Sequence, residues 1–523
     1  METQGSRPGL RYFAASRLSY ATSGDRQFMN ELPLQDTSTS RRDKIRQYLT
    51  RRSEYDGVVI GSGPNGLAAA IVLARARRSV LVLEAEERIG GGTRSAALTL
   101  PGFTHDECSA VHPMAVASPF LRVLPLYQHG LEWIHPPYPL AHPFDGGTAA
   151  ILDHSIENTC QSLGLDGNAY YSLVGRLAEK WSLLEKHILG PICLPSHPLL
   201  MAEFGIHAIQ PASHLAKSSF KSSPARALFA GLAAHSLMPL ESWGTSAVGL
   251  VLAAIAHVRG WPIAKGGSQR IADALASYLR SLGGEIVTGV HVRSQKDLPR
   301  SRIVLCDLSP RGLLQIVGER LPMSYRRALE RYQYGPGVFK VDWALRGPIP
   351  WMAPHCAEAG TVHLGGTISE IARSERESWR NEISERPFVL LAQPSLFDPS
   401  RAPAGCHTAW AYCHVPSGAK SDMTDRIEAQ VERFAPGFRE LILARSTRSP
   451  AQLECKNANL VGGNITGGAN ALRQLFLRPT FRLYETPVRG LFLCSASTPP
   501  GAGVHGMCGY HAAIRALASD HLG

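Results

Sequence analysis

The run Tyr55-Asp56-Gly-Val-Val-Ile60-Gly61-Ser62-Gly63-Pro64-Asn65-Gly66, followed by Leu-Ala-Ala-Ala-Ile-Val-Leu-Ala-Arg75, decides the fold. The β-branched residues ahead of the glycines indicate a buried strand, and the Ala/Leu-rich stretch behind them a helix to about Arg77. A second apolar run, Ser79-Val-Leu-Val-Leu-Glu84, returns as a parallel strand and closes a βαβ unit. The glycines divide the work: Gly61 permits the tight turn, Gly63 lets backbone approach a pyrophosphate, and Gly66 lets helix and strand pack closely. Pro64 and Asn65 belong to the same turn, where helix N-terminal amides hold phosphate. Glu84, eighteen residues beyond Gly66, is placed to take a ribose hydroxyl and to disfavour a 2'-phosphate; Ala85 is taken with the same nucleotide.

The rest of the chain sets the bounds. With 523 residues, 44% hydrophobic and 19% charged, it exceeds what one core holds, since cores stop growing at roughly 250 to 300 residues. The net charge of +11 is not gathered into a stripe, so no nucleic-acid partner is expected. Residues 1–54 carry ten basic side chains against six acidic ones and are expected to form a flexible basic extension. The ten cysteines include no Cys-x-x-Cys pair and are taken as free thiols. Cys406-His407 and Cys413-His414 share a strand-like run on which they stand too far apart to close on one ion, so no metal is expected. No stretch reaches the roughly 18 apolar residues of a membrane span, and the N-terminus has no secretory signal. The expectation is an intracellular, cytoplasmic protein with room for peripheral membrane contact. The mitochondrial matrix is the alternative, because the first 24 residues are rich in Arg, Ser and Ala with Glu2 as their only acid.

Strand and helix patterns alternate along the chain in blocks. Residues 55–150, 257–330 and 460–523 are expected to build a Rossmann-type dinucleotide domain from discontinuous segments, making the class α/β. Residues 151–256 and 331–459 are expected to form a mixed α+β substrate domain. It would combine a helical cap with an antiparallel sheet that includes Val338–Leu345 and the Cys406-His-Thr-Ala-Trp-Ala-Tyr412-Cys-His414 run.

After Glu84 come Arg88-Ile-Gly90-Gly91-Gly92-Thr-Arg94-Ser95. This resembles the extended FAD signature of the amine oxidase and phytoene desaturase superfamily, in which a glycine pair follows the ribose-binding acid. Gly90 and Gly91 match the pair and Ser95 the hydroxyl position. Gly92 replaces the arginine of amine oxidases, which leans away from that activity and leaves Arg94 as the carried-over cation. The tail from Val488 through Gly501-Ala-Gly-Val-His505-Gly506-Met507 is similar to that of phytoene-desaturase-like flavoproteins. The likeness is strongest to the branch of pyridine nucleotide-disulphide oxidoreductase domain-containing protein two and its bacterial relatives, and it spans about Asp56 to the C-terminus.

The tail also spells Gly-x-Gly-x-x-Gly, but seventeen residues after Gly506 leave no room for a second dinucleotide unit. The resemblance instead implies that Gly506 and Met507 face the flavin and that Val292 meets the adenine through its backbone. Acid/base candidates are His505, His414 and Tyr412, each with a capping or packing role as its alternative. A disulphide reductase is disfavoured, for it needs a redox cysteine pair and a second nucleotide domain. The implied activity is FAD-dependent, desaturase- or dehydrogenase-like hydride transfer from an apolar or lipid-like small molecule, with oxygen or a quinone as electron acceptor. The alternatives are a flavin-dependent amine oxidase, and a partner-binding flavoprotein with little turnover linked to respiratory function.

Overall fold

The computed structural model describes Arg52 and residues 54–520, so the expected basic extension lies almost wholly outside the described residues. Five parallel strands form the first sheet, in the order Leu491–Leu493, Arg300–Cys306, Glu54–Ile60, Val80–Leu83, Glu285–Val287. Three distant segments of chain thus build one doubly wound sheet, as the sequence predicts. Strand Glu54–Ile60 sits in its middle with all four residues from Gly57 to Ile60 paired on both sides. From that strand the chain first moves to Val80–Leu83 on one side and later returns to Arg300–Cys306 on the other. This makes a topological switch point, where open α/β sheets bind ligands beyond their carboxyl ends.

The second sheet has seven strands in the order Ile442–Arg448, Gly337–Leu345, His407–Val415, Val389–Ala392, Ala359–Leu364, Tyr138–Pro143, Ala149–Leu152. It departs from the sequence reading in two ways. Tyr138–Pro143 and the first two residues of Ala149–Leu152, expected among the dinucleotide segments, pair here instead, because the apolar residues of these strands cover helix Ser223–Ala234. The sheet is also mixed: Ala359–Leu364 runs parallel to Tyr138–Pro143, while its other pairings are antiparallel.

The cap is helical, as expected between 152 and 256. Helix Ser223–Ala234 is its centre, buried from Ala227 to Ala234 between Thr245–Arg259, Ile368–Trp379 and the sheet. The apolar runs around Ala227 and Ala247 are therefore core helices, and no helix among the described residues is long and apolar enough to cross a membrane.

A buried ionic knot ties the short strand pair Ser95–Ala96 and His105–Asp106 to the segments around Ala264 and Asp398. Arg401 is fully buried and donates through Nη1 to Asp106 (3.0 Å), through Nε to Asp398 (3.0 Å) and through Nη2 to the Ala264 carbonyl (3.2 Å). Asp106 also accepts from the Ser95 hydroxyl (2.6 Å) and the Ser268 amide (2.7 Å). Ser95, which matches the hydroxyl position of the glycine signature, is thus committed to this knot.

Candidate functional site

A cavity of about 830 Å³ opens at the switch point and runs from the first sheet to the second. Gly61, Gly63, Pro64, Asn65, Glu84, Ala85, Gly91, Arg94 and Val292 line one end of it, so most of the expected cofactor contacts converge on one wall. The reason lies in the local chain. Helix Pro64–Arg75 begins with a proline, which lacks the amide that would be unpaired there, and its preceding Gly63 is extended. Gly66 faces away from the cavity and does packing work: a β-carbon on it would stand 2.1 Å from the Gly61 carbonyl oxygen.

Glu84 is 9% exposed and held in place. Its Oε2 accepts the Ser62 amide (2.9 Å) and the Ser62 hydroxyl, and its Oε1 accepts the Glu86 amide (3.0 Å). An ionised carboxylate has about four acceptor positions, so one remains for a ribose hydroxyl. The second glycine motif packs onto the first: a β-carbon on Gly91 would lie 3.2 Å from Gly63 Cα, and the Gly90 amide donates to the Ser62 carbonyl (3.1 Å). Gly90 has a φ of 116°, which a side chain would strain. Arg94 spends its guanidinium on the Gly91 carbonyl (3.1 Å) and the Lys456 carbonyl (2.8 Å), so it ties a segment near Lys456 to the cavity rim.

Sequence reasoning missed Asp307. It follows strand Arg300–Cys306 at the switch point, lines the cavity, and accepts the Gly66 amide at 3.0 Å. Burial pushes its carboxyl up from 3.8 to about 7, with the Gly66 amide opposing and the Glu84 charge adding. The raised value lessens the charge that Asp307 sets against a pyrophosphate near neutral pH. Because the folded value is raised, the stability Asp307 lends is full below about 4 and is lost as pH climbs toward about 7. Asp307→Asn keeps an oxygen for the Gly66 amide and removes that loss. The expected result is equal melting temperatures near pH 4 and a higher one for the variant at pH 8, read by melting across that range.

The C-terminal turn reaches the cavity with Pro500, Ala502, Gly503, Val504 and His505, not with the expected Gly506 and Met507. Gly506 packs on the first helix, where its β-carbon would meet Ala68 at 2.9 Å, and Met507 is buried. His505 Nδ1 accepts the Met507 amide at 3.0 Å, so this ring caps the last helix, Met507–Asp520. Burial pushes it down to about 4, against the carbonyls of Ala502 and Gly501. It is a neutral capping ring at neutral pH.

Of the other two acid/base candidates, Tyr412 lines the cavity and stacks on Trp410 at 5.5 Å and 10°. Burial raises its hydroxyl far above the usual range. His414 lies behind the wall, with Nδ1 hydrogen-bonded at 2.8 Å to both oxygens of buried Glu375 from helix Ile368–Trp379. Below Trp410 lies a second pair that sequence reasoning missed, Lys340 and Asp342, both buried, with the Lys340 ammonium 5.7 Å from the Trp410 ring centre.

Among the described residues, four buried polar atoms in the cavity lining have no hydrogen-bond partner: Asn65 Oδ1, His112 Nδ1, Trp410 Nε1 and His505 Nε2. A buried polar atom left unpaired costs about 1–3 kcal/mol, so four of them along one cavity mark contacts for a polar ligand. Together with the glycine cradle and Glu84, they fit a dinucleotide whose phosphates lie at Gly61–Gly66 and whose ring system extends toward Trp410.

Comparison with known proteins agrees. The NAD(P)-binding Rossmann-like domain family matches residues 59–124. Pyridine nucleotide-disulfide oxidoreductase domain-containing protein 2 of Mus musculus is 27% identical over 88% of this chain and 93% of that protein. The lycopene-forming phytoene desaturase of Pseudescherichia vulneris is 24% identical over 89% of this chain and 99% of that one. Among solved structures, an oxidoreductase from Methanosarcina mazei has a TM-score of 0.61 at 16% identity, covering 88% of this chain and 99% of its own. Putrescine oxidase bound to putrescine has a TM-score of 0.58 at 17% identity, covering 90% and 99%. These relatives bear out the resemblance and the fold class read from the sequence.

Proposed function

We propose that this chain, an FAD-dependent oxidoreductase, takes hydride from an apolar or lipid-like substrate. One observation carries the reading: the dinucleotide loops and the apolar residues Leu237, Val248, Val251, Leu252 and Leu390 line one continuous cavity. A cofactor held at Gly61–Gly66 therefore shares its compartment with a greasy chamber. When bound, FAD supplies the two-electron acceptor for a hydride. The protein's own side chains exclude water and orient the substrate. Trp261 has its Nε1 tied to Thr361 Oγ1 (2.9 Å), and the Trp410–Tyr412 stack makes a flat wall. The wall's carboxylates, Glu84, Glu86 and Asp307, all belong to the nucleotide end.

Ile188, Leu189 and Leu475 line the cavity, and the exposed side chains of Leu194, Leu199 and Phe481 follow them closely along the chain, which offers an apolar substrate a route in. A β-carbon on Gly244, next to exposed Trp243, would lie 3.5 Å from Leu475 Cδ1. Peripheral contact with a lipid surface would deliver the substrate here, and oxygen or a quinone would take the electrons afterwards.

An amine oxidase is the second reading, favoured by the aromatic stack at Trp410 and Tyr412 and opposed by the lack of a wall carboxylate at the apolar end to receive a cation. Anaerobic mixing of the holoenzyme separates the two. Phytoene in phosphatidylcholine vesicles, as the apolar probe, is expected to bleach the flavin while putrescine and cyclohexylamine leave it oxidised. Bleaching by the amines alone would overturn the apolar reading, and a flavin that no reductant cycles would favour the partner-binding alternative.

A further inference from the structure

Between helix Ser223–Ala234 and the seven-stranded sheet lie three histidines to which the reading above gives no task. His142 and His363 stand one residue beyond the Val362–Ala141 register pair, so they share a face of two adjacent parallel strands. His235 follows the helix as its C-terminal cap residue and is the member that lines the cavity.

Their hydrogen bonds run in one direction. His142 Nε2 is 2.7 Å from the Gly366 carbonyl oxygen. A carbonyl only accepts, so Nε2 carries the proton and Nδ1 of the neutral ring is bare. His235 Nε2 and His363 Nε2 are 3.1 Å apart, which makes a hydrogen bond when one shared proton sits between them. If His235 donates it, His363 carries its own proton on Nδ1, and His235 is left with a bare nitrogen of its own. Each ring then accepts on the cavity side and donates on the far side.

The step from His363 to His142 passes Gly231. Both Nδ1 atoms are buried without a partner, and a β-carbon on Gly231 would lie 2.6 Å from one and 3.5 Å from the other. A helix-interior glycine is disfavoured against alanine, and here its missing side chain leaves the space between the rings. Beyond His142, Gly366 adjoins Glu370, whose carboxylate pairs with Arg433 (2.8 Å); Arg433 also pairs with the exposed Asp145 (2.6 Å).

We propose that His235, His363 and His142 form a proton conduit from the cavity to the surface at Glu370. The proposal rests on the hydride-transfer reading. One substrate C–H bond breaks and its electron pair leaves with the hydride for the flavin. A neighbouring C–H bond then gives its proton to His235, and the electrons left behind close a carbon–carbon double bond. His235 passes its Nε2 proton to His363, His363 passes its Nδ1 proton across Gly231 to His142, through one water or a small ring movement, and His142 releases its Nε2 proton beside Glu370. Oxygen, taking two electrons and two protons to become hydrogen peroxide, later draws a proton back along the line and resets the rings.

Burial holds the rings neutral and ready to pass a proton on. It pushes His235 down to about 3 and His142 to about 4, and His363 well below its usual value. The groups around them act in both senses. His414, hydrogen-bonded to Glu375, depresses His235; His235 and His142 depress His363; Arg433 opposes and Glu370 favours protonation of His142.

The test follows flavin bleaching and proton release together in weakly buffered anaerobic holoprotein, with a pH indicator and phytoene in phosphatidylcholine vesicles as the reductant. Proton release should keep pace with bleaching in the wild type and lag by about tenfold or more in His363→Gln and Gly231→Ala, as for loss of a proton-transfer group. Unchanged release in both variants, at normal FAD content, overturns the conduit. A wild-type flavin that does not bleach overturns the hydride reading instead. Nitrogen-15 histidine spectra of the wild type decide independently of variants and of turnover. They should show neutral rings at pH 7, a shared His235–His363 proton and His142 protonated on Nε2; three rings titrating separately near pH 6.5 would overturn the conduit.

Discussion

Gly66→Ala is expected to give a protein that purifies without flavin. The new β-carbon would stand 2.1 Å from the Gly61 carbonyl oxygen and 3.2 Å from Asp307 Oδ2, so helix Pro64–Arg75 must move off the strand it packs on. Overpacking of this kind costs typically about 1–3 kcal/mol in stability. Its functional effect is larger, because the displaced turn carries the Ser62 amide off Glu84 and pulls Gly63 away from Gly91. We expect FAD content to fall below about a tenth of wild type, since misplacing a phosphate cradle by about 1 Å removes both backbone contact and dipole alignment. The flavin-to-protein absorbance ratio after dialysis reports it. Gly92→Ala is the control: nothing lies within 4 Å of its β-carbon position, so FAD content should hold.

Arg401→Met should cause the largest loss of stability. It leaves Asp106 and Asp398 buried with no cation, and breaking a buried pair from one side typically costs about 3–5 kcal/mol. Burial alone would raise the Asp106 carboxyl, but Arg401, the Ser95 hydroxyl and the Ser268 amide outweigh it and hold it below the usual carboxylate range. A depressed carboxylate lends stability above its unfolded value near 3.8, and that stability is lost as pH falls through the folded value. The gap between wild type and variant in urea melts should therefore be widest near neutrality and narrow below about pH 4.

How much of this was legible in the chain depends on distance along it. Local chemistry was readable: strand, glycine turn and helix from Glu54 to Arg75 carry their signal within about twenty residues, and the Gly90-Gly91 pair lies close behind. Asp307 was not readable, because the sheet topology brings it to Gly66 across 241 positions, and an acid after a strand has no signature of its own. Arg401 meets Asp106 across 295 positions in the same way.

The catalytic candidates show a related limit. His505 stands two residues from the amide that its ring accepts, so its position just ahead of helix Met507–Asp520 was a signal for a cap. His414 has its partner Glu375 on helix Ile368–Trp379, 39 positions away, where no local pattern announces it. Strands Tyr138–Pro143 and Ala149–Leu152 are short and apolar, and nothing local says which of two sheets they join.

One FAD along the cavity between the two sheets, cycling there, would show in the visible spectrum of the purified protein. The expected result is an oxidised-flavin band at about 450 nm that bleaches on anaerobic photoreduction and returns with air. A colourless protein that takes up no added FAD would contradict it.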